Sequence, residues 1–192
     1  ASLEAKDGQG RTPLTWALLQ GHLDMVQALL DRGAGLDHVD SREQSLLNIV
    51  VQEGPVRSIA YLLDQGSDIN QMDGNGWVPL MWAVARTNRK AVAYLLERGA
   101  NVNCANDGGN TPLMIASMRG DLEMVKLLLE NGAEVNLTDD QGKNALMYAV
   151  FNGRADVAAL LLKYGADVAH KQRTGTTALM IAVSQGHREA AE

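Results

Sequence analysis

Cysteine is nearly absent from this 192-residue chain: Cys104 stands alone, so no internal disulfide can form and no cysteine pair is available for zinc. That usage suits a reducing compartment, the cytoplasm or the nucleus. Aromatic residues make up 4% of the chain and include one phenylalanine, which excludes a large aromatic core. Excess positive charge is missing too. With 17 Lys and Arg against 23 Asp and Glu, the formal net charge is −6, the wrong sign for a general nucleic-acid or anionic-membrane surface. No apolar run reaches the roughly 18 residues that a membrane span requires, and no charged-then-apolar leader opens the chain. The sequence holds no GxxxxGK[ST] loop, GxSxG elbow or HExxH pair. His22, His38, His170 and His187 are scattered without metal-ligand spacing. The expectation is a chain with no catalysis, metal or cofactor of its own.

Hydrophobic residues account for 46% of the chain and charged ones for 21%, a balance that folds. Their arrangement is periodic. The segments TPLTWALLQG, SLLNIVVQEG, VPLMWAVART, TPLMIASMRG, NALMYAVFNG and TALMIAVSQG begin at Thr12, Ser45, Val78, Thr111, Asn144 and Thr177, each 33 residues after the last. A constant period of this size indicates stacked supersecondary units that bury their apolar faces against one another.

Within one period the signals read turn, helix, turn, helix. In the fourth unit NDGGN is a turn, Thr111 caps a short helix that begins at Pro112, and Gly120 ends it. DLEMVKLLLEN follows as a second amphipathic helix closed by Gly132, before a strand-like AEVN. Fifteen of the 19 glycines recur in three such slots. Ala17, Ala83, Ala116, Ala149 and Ala182, with Val50 in the second unit, let inner helices approach closely. The pairs Leu29/Leu30, Leu62/Leu63, Leu95/Leu96, Leu128/Leu129 and Leu161/Leu162 fill the space between helices.

This period and the T-P-L…A pattern resemble the ankyrin repeat family over the whole chain. The resemblance implies an all-α fold: a solenoid of helix-turn-helix units with β-turn fingers, in a curved right-handed array. The boundaries follow the count: one domain over 1–192, with 1–11 as the tail of a preceding repeat plus a first turn, units starting at 12, 45, 78, 111 and 144, and a partial unit at 177–192. ASLEA occupies the slots of ANVNC and AEVNL, and the chain stops part-way through an outer helix, so both ends read as cuts through a longer array. Three departures mark natural drift rather than a consensus design: Glu43 replaces a turn glycine, Val78 a capping threonine and Thr87 an inter-helix glycine. The second and third units are therefore expected to be the least rigid. The family's T-P-L-H histidine is replaced by Thr15, Asn48, Met81, Met114, Met147 and Met180. That puts its hydrogen-bond network in doubt and predicts a buried column of flexible gap-fillers.

The variable slots point to a binding face. One inner-helix slot reads Trp16, Ile49, Trp82, Ile115, Tyr148, Ile181, a floor in which large flat side chains alternate with isoleucine. Three residues on, on the same helix face, the slot reads Leu19, Gln52, Ala85, Met118, Phe151, Ser184, a mixture that predicts exposure along a concave groove. Leu19, Met118 and Phe151 supply apolar patches there, Arg86 and Arg119 supply charge, and Trp77 lies beside Trp82. Trp, Tyr and Arg concentrate binding energy at interfaces. The sequence therefore predicts partner contacts at Trp16, Leu19, Trp77, Trp82, Arg86, Ile115, Met118, Arg119, Tyr148 and Phe151. The partner expected is a protein or short peptide with hydrophobic anchors and an acidic or polar flank, met by a monomeric chain with no nucleic acid and no membrane insertion. PLxWA and ALxYA look like aromatic-floored ankyrin domains that capture short linear motifs. The alternative is a structural or regulatory spacer making intramolecular contacts within a larger enzyme, channel or signalling protein. Asn70, Asn103 and Asn136 each follow a leucine by eight residues and resemble sites hydroxylated by the oxygen-sensing asparaginyl hydroxylase, an implication of the family likeness alone.

Overall fold

A computed structural model describes residues 2–191. Its helices come in pairs: α1 (Pro13–Gln20) with α2 (Leu23–Leu30), α3 (Leu46–Glu53) with α4 (Val56–Asp64), and α5 (Pro79–Ala85) with α6 (Arg89–Glu97). Then follow α7 (Pro112–Arg119) with α8 (Leu122–Glu130), α9 (Ala145–Phe151) with α10 (Ala155–Lys163), and α11 (Ala178–Gln185) with the short α12 (Arg188–Ala191). Among the described residues there is no named strand, only isolated bridges Val39↔Ser45 and Lys171↔Thr177. The strand-like segment expected after α8 is a turn at Val135–Asn136. The chain divides into two compact units, Ala1–Ala100 with α1–α6 and Asn101–Glu192 with α7–α12.

Helices of nine residues or fewer are too short to persist alone in water. Stacking sustains them. In the first unit α3 packs between α1 and α5; in the second α9 packs between α7 and α11. Ala83, Ala116, Ala149, Ala182 and Val50 are fully buried at these crossings. Of the leucine pairs, Leu62, Leu95, Leu128 and Leu161 are fully buried, whereas Leu162 is exposed. Side chains from one pair also satisfy the orphan carbonyls that end the previous inner helix. Ser58 Oγ donates to the Leu18 carbonyl at 2.6 Å, Asn88 Nδ2 to Val51 at 3.0 Å, and His187 Nε2 lies 3.1 Å from the Phe151 carbonyl.

Local chemistry sets the helix ends. Thr12, Ser45, Thr111, Asn144 and Thr177 each accept the third helical N–H, and Val78 offers no such cap. Fourteen of the fifteen recurrent glycines have positive φ. Gly54 does not, at φ −82, but a Cβ there would meet Val50 Cγ1 at 2.7 Å and its carbonyl at 2.8 Å, so the slot still excludes side chains. Glu43 and Thr87, which replace glycines, hold the left-handed conformation at φ 60 and 55. Each carries strain on the order of 1–2 kcal/mol.

The histidine-replacement column is buried through Thr15, Asn48, Met81, Met114 and Met147, while Met180 is exposed. Thr15 Oγ1 takes over part of the missing network by accepting the Thr12 N–H at 3.3 Å. Asn48 does not. It is 0% exposed, and both atoms of its amide lack a hydrogen-bond partner.

Candidate functional site

The alternation of large and branched side chains on the inner helices has a structural cause. Trp16 Nε1 donates to Asp7 Oδ2 at 3.0 Å, Trp82 Nε1 to Asp73 Oδ2 at 2.9 Å, and the Tyr148 hydroxyl to Asp139 Oδ2 at 2.7 Å. Each aspartate lies nine residues before its aromatic partner. The other oxygen of each carboxylate accepts two turn N–H groups: Gln9 and Arg11 for Asp7, Asn75 and Trp77 for Asp73, Gln141 and Lys143 for Asp139. One carboxylate thus closes the turn and latches it to the inner helix. The latch recurs every second repeat, at intervals of 66 residues (73−7 and 139−73). In the intervening repeats Asp40 and Asn106 still close their turns, but Ile49 and Ile115 have no donor to complete a latch. The Arg11 and Gln9 backbone N–H bonds and the Trp16 indole hold the Asp7 carboxyl below its ordinary value, the Arg11 amide contributing most. Burial, then the bond to Asp139, pushes the Tyr148 phenol up.

In the first unit Trp16 is 45% exposed, with the Arg11 guanidinium 5.7 Å from its ring centre. Trp77 and Trp82 are half-buried, their rings 4.8 Å apart and tilted by 40°. Trp77 therefore leans on Trp82 from the end of the preceding turn. Arg86 is exposed, and its Nε reaches Gln52 Oε1 at 3.3 Å. Gln52 in turn donates to Gln44 and to the Asn48 carbonyl.

In the second unit Met118 is 42% and Phe151 54% exposed. They flank a hollow of about 140 Å³ lined by Met118, Lys143, Met147, Tyr148, Phe151, Asn152 and Ile181. The Tyr148 ring is fixed through its hydroxyl, which also bonds Asn110 Oδ1 at 3.0 Å, and Lys143 Nζ stands 6.0 Å from the ring centre. Arg119 is exposed next to Met118.

One expectation is corrected by this geometry: Leu19 is 8% exposed and belongs to the packed interior rather than to an open slot, while Ile115, expected on the floor, is 6% exposed. Sequence reasoning does not single out Lys143, which precedes the helix cap, and favours gap-filling over ligand contact for Met147. Met147 is indeed 2% exposed, yet it forms a wall of the hollow. The latch was readable in principle, as an aspartate nine residues ahead of each large aromatic.

A profile of three ankyrin repeats matches residues 47–139, 80–172 and 135–192, and a single-repeat profile matches residues 9–41. The chain belongs to the ankyrin repeat family. Ankyrin repeats are generally protein–protein interaction modules and are typically non-catalytic. One curated relative, "Acyl-CoA-binding domain-containing protein 1" of Arabidopsis thaliana, is 50% identical over 32 residues, which is 17% of this chain and 10% of that protein. Similarity of that extent corresponds to about one repeat.

Other ankyrin features serve the stack. Asn103 Nδ2 donates to the Gly132 carbonyl and its Oδ1 accepts the Glu134 N–H; Asn136 does the same with Gly165 and Asp167. The exposed Asn70 donates its backbone N–H to Asp68. His38 and His170 Nε2 lie 2.6 and 2.8 Å from the Gly10 and Gly142 carbonyls, which ties successive turns together. Cys104 is buried, and burial pushes its thiol up to about 12. Among the described residues no group of three or more His, Cys, Asp or Glu could hold a metal, and no helix is long and apolar enough to cross a membrane.

Proposed function

We propose that this ankyrin chain is an intracellular interaction segment that holds a partner protein or extended peptide on its inner-helix face. The observation that carries the reading is the pair Met118 and Phe151, exposed on neighbouring repeats on either side of the hollow floored by Tyr148. Large apolar side chains left half open beside a rigid aromatic ring gain on the order of 1 kcal/mol or more each when a partner covers them. Trp16, Trp77 and Trp82 offer a second aromatic stretch in the first unit. Arg86 and Arg119 favour a partner with an acidic or polar flank, in keeping with a chain whose net charge of −6 disfavours nucleic acid.

The test is capture of binding proteins by the chain and by a Met118→Ala/Phe151→Ala variant. Both residues are exposed, so the variant should fold. Loss of the same proteins from the variant supports the face; undiminished capture refutes it. For Asn70, Asn103 and Asn136 the proposal is β-hydroxylation, and mass spectrometry of protein isolated from cells would show an added oxygen at one of them or end the idea.

A further inference from the structure

The hollow beside Tyr148 is more selective than an apolar patch. We infer that it seats one phenyl- or isobutyl-sized group bearing a nearby carboxylate, an inference that rests on the interaction reading above and names the chemistry of its anchor. Three observations carry it. The first is size: about 140 Å³ compares with the roughly 150 Å³ apolar cavity that accommodates benzene. The second is the lining. Met118 and Met147 present thioethers, which adapt to a planar or branched group, and Phe151 and Ile181 complete an apolar wall. The Tyr148 hydroxyl is engaged by Asp139 and Asn110, so the ring is what it offers to an occupant.

The third observation is charge. The lining contains one cation, Lys143, and no acid, in a chain that carries an excess of acids. Asp139, the carboxylate behind Tyr148, is buried; one oxygen accepts two backbone N–H groups and the other the tyrosine hydroxyl. Lys143 thus has no ion pair among the described residues and stands at the hollow with its ammonium toward the aromatic floor. A carboxylate adjacent to the anchor group supplies the missing partner. In a peptide this is Phe or Leu next to Asp or Glu.

The probe is 3-phenylpropionate, followed through the methionine methyl signals of protein labelled with ¹³C at those methyls. Its neutral amide and propionate, which lacks the ring, serve as comparators. Saturable shifts at Met118 and Met147, absent at the exposed Met25 and Met72 of the first unit, are expected with a Kd on the order of 1 mM for so small a ligand. The amide should bind about threefold more weakly, and Lys143→Gln should remove that difference. Should Lys143→Gln disturb the unliganded spectrum, added salt replaces it, weakening the acid but not the amide. Equal binding of acid and amide, equally strong binding of propionate, or shifts at all four methionines would overturn the inference. Such a result would leave the interaction reading standing if partner capture still depends on Phe151. Loss of that reading alone would show as fragment binding with capture insensitive to Met118 and Phe151.

Discussion

Replacing Asn48 with methionine should make the protein more stable, although it deletes a polar residue from within α3. Asn48 is 0% exposed, and neither its amide nitrogen nor its amide oxygen has a partner. An unsatisfied buried amide costs about 1–3 kcal/mol. The three following repeats carry Met81, Met114 and Met147 in the same slot, at 0%, 1% and 2% exposure, so the backbone there accepts a thioether chain. Overpacking at the divergent second repeat offsets part of the gain, since fitting extra methylene into a packed site costs about 1–3 kcal/mol when the side chain cannot adapt. Methionine adapts better than most. A net gain of about 1 kcal/mol remains, which in a chain of this size corresponds to a melting temperature roughly 2–4 °C higher. Urea midpoints at an unchanged slope would give the same answer independently of heating. A midpoint at or below that of the unsubstituted chain would show that the amide is satisfied and the argument wrong.

Further predictions concern the strained and latched positions. Thr87→Gly relieves a left-handed non-glycine backbone and should stabilise the protein by about 0.5–1 kcal/mol, read from the same urea curves, whereas Thr87→Ala should not. Trp82→Phe removes the indole donor from Asp73 and should destabilise by about 1 kcal/mol; stability unchanged within error would mean that the latch contributes nothing. The Asp7 carboxyl is held below its ordinary value when folded, so its contribution is present above the unfolded value near pH 4 and is lost as the pH falls through the lower folded one. Asp7→Asn should therefore lose less stability than the unsubstituted chain over that acid range, and parallel pH profiles would contradict this. Cys104, buried with its thiol pushed up to about 12, should react with iodoacetamide at pH 8 only after denaturation.

The 33-residue period fixed the helix pairs because each boundary has a local cause. Thr111, Pro112 and Gly120 cap, start and stop α7 by backbone chemistry that neighbours do not alter. Even Glu43 and Thr87 obey the count, adopting the glycine conformation at a cost. Exposure was less legible. Leu19 and Phe151 share one slot, yet one is 8% and the other 54% exposed, so burial there is set by surroundings that the slot itself does not encode. Comparing residues down a column does not weigh that. The orphan amide of Asn48 was equally hidden. Loss of the family histidine left open which replacement would find new partners, and Thr15 does so through Thr12 where Asn48 does not. The alternation of Trp16, Ile49, Trp82, Ile115 and Tyr148 was visible, but its reason lay nine residues upstream in Asp7, Asp73 and Asp139.

Site-specific photocrosslinking in living cells addresses the face directly, with benzoylphenylalanine placed at Phe151 on an inner helix or at Lys126 on the outer helix α8. Covalent adducts to a defined partner from position 151, competed by excess unlabelled chain and absent from position 126, are the predicted outcome. Adducts from position 126 with none from 151 would place recognition on the outer helices and contradict the account.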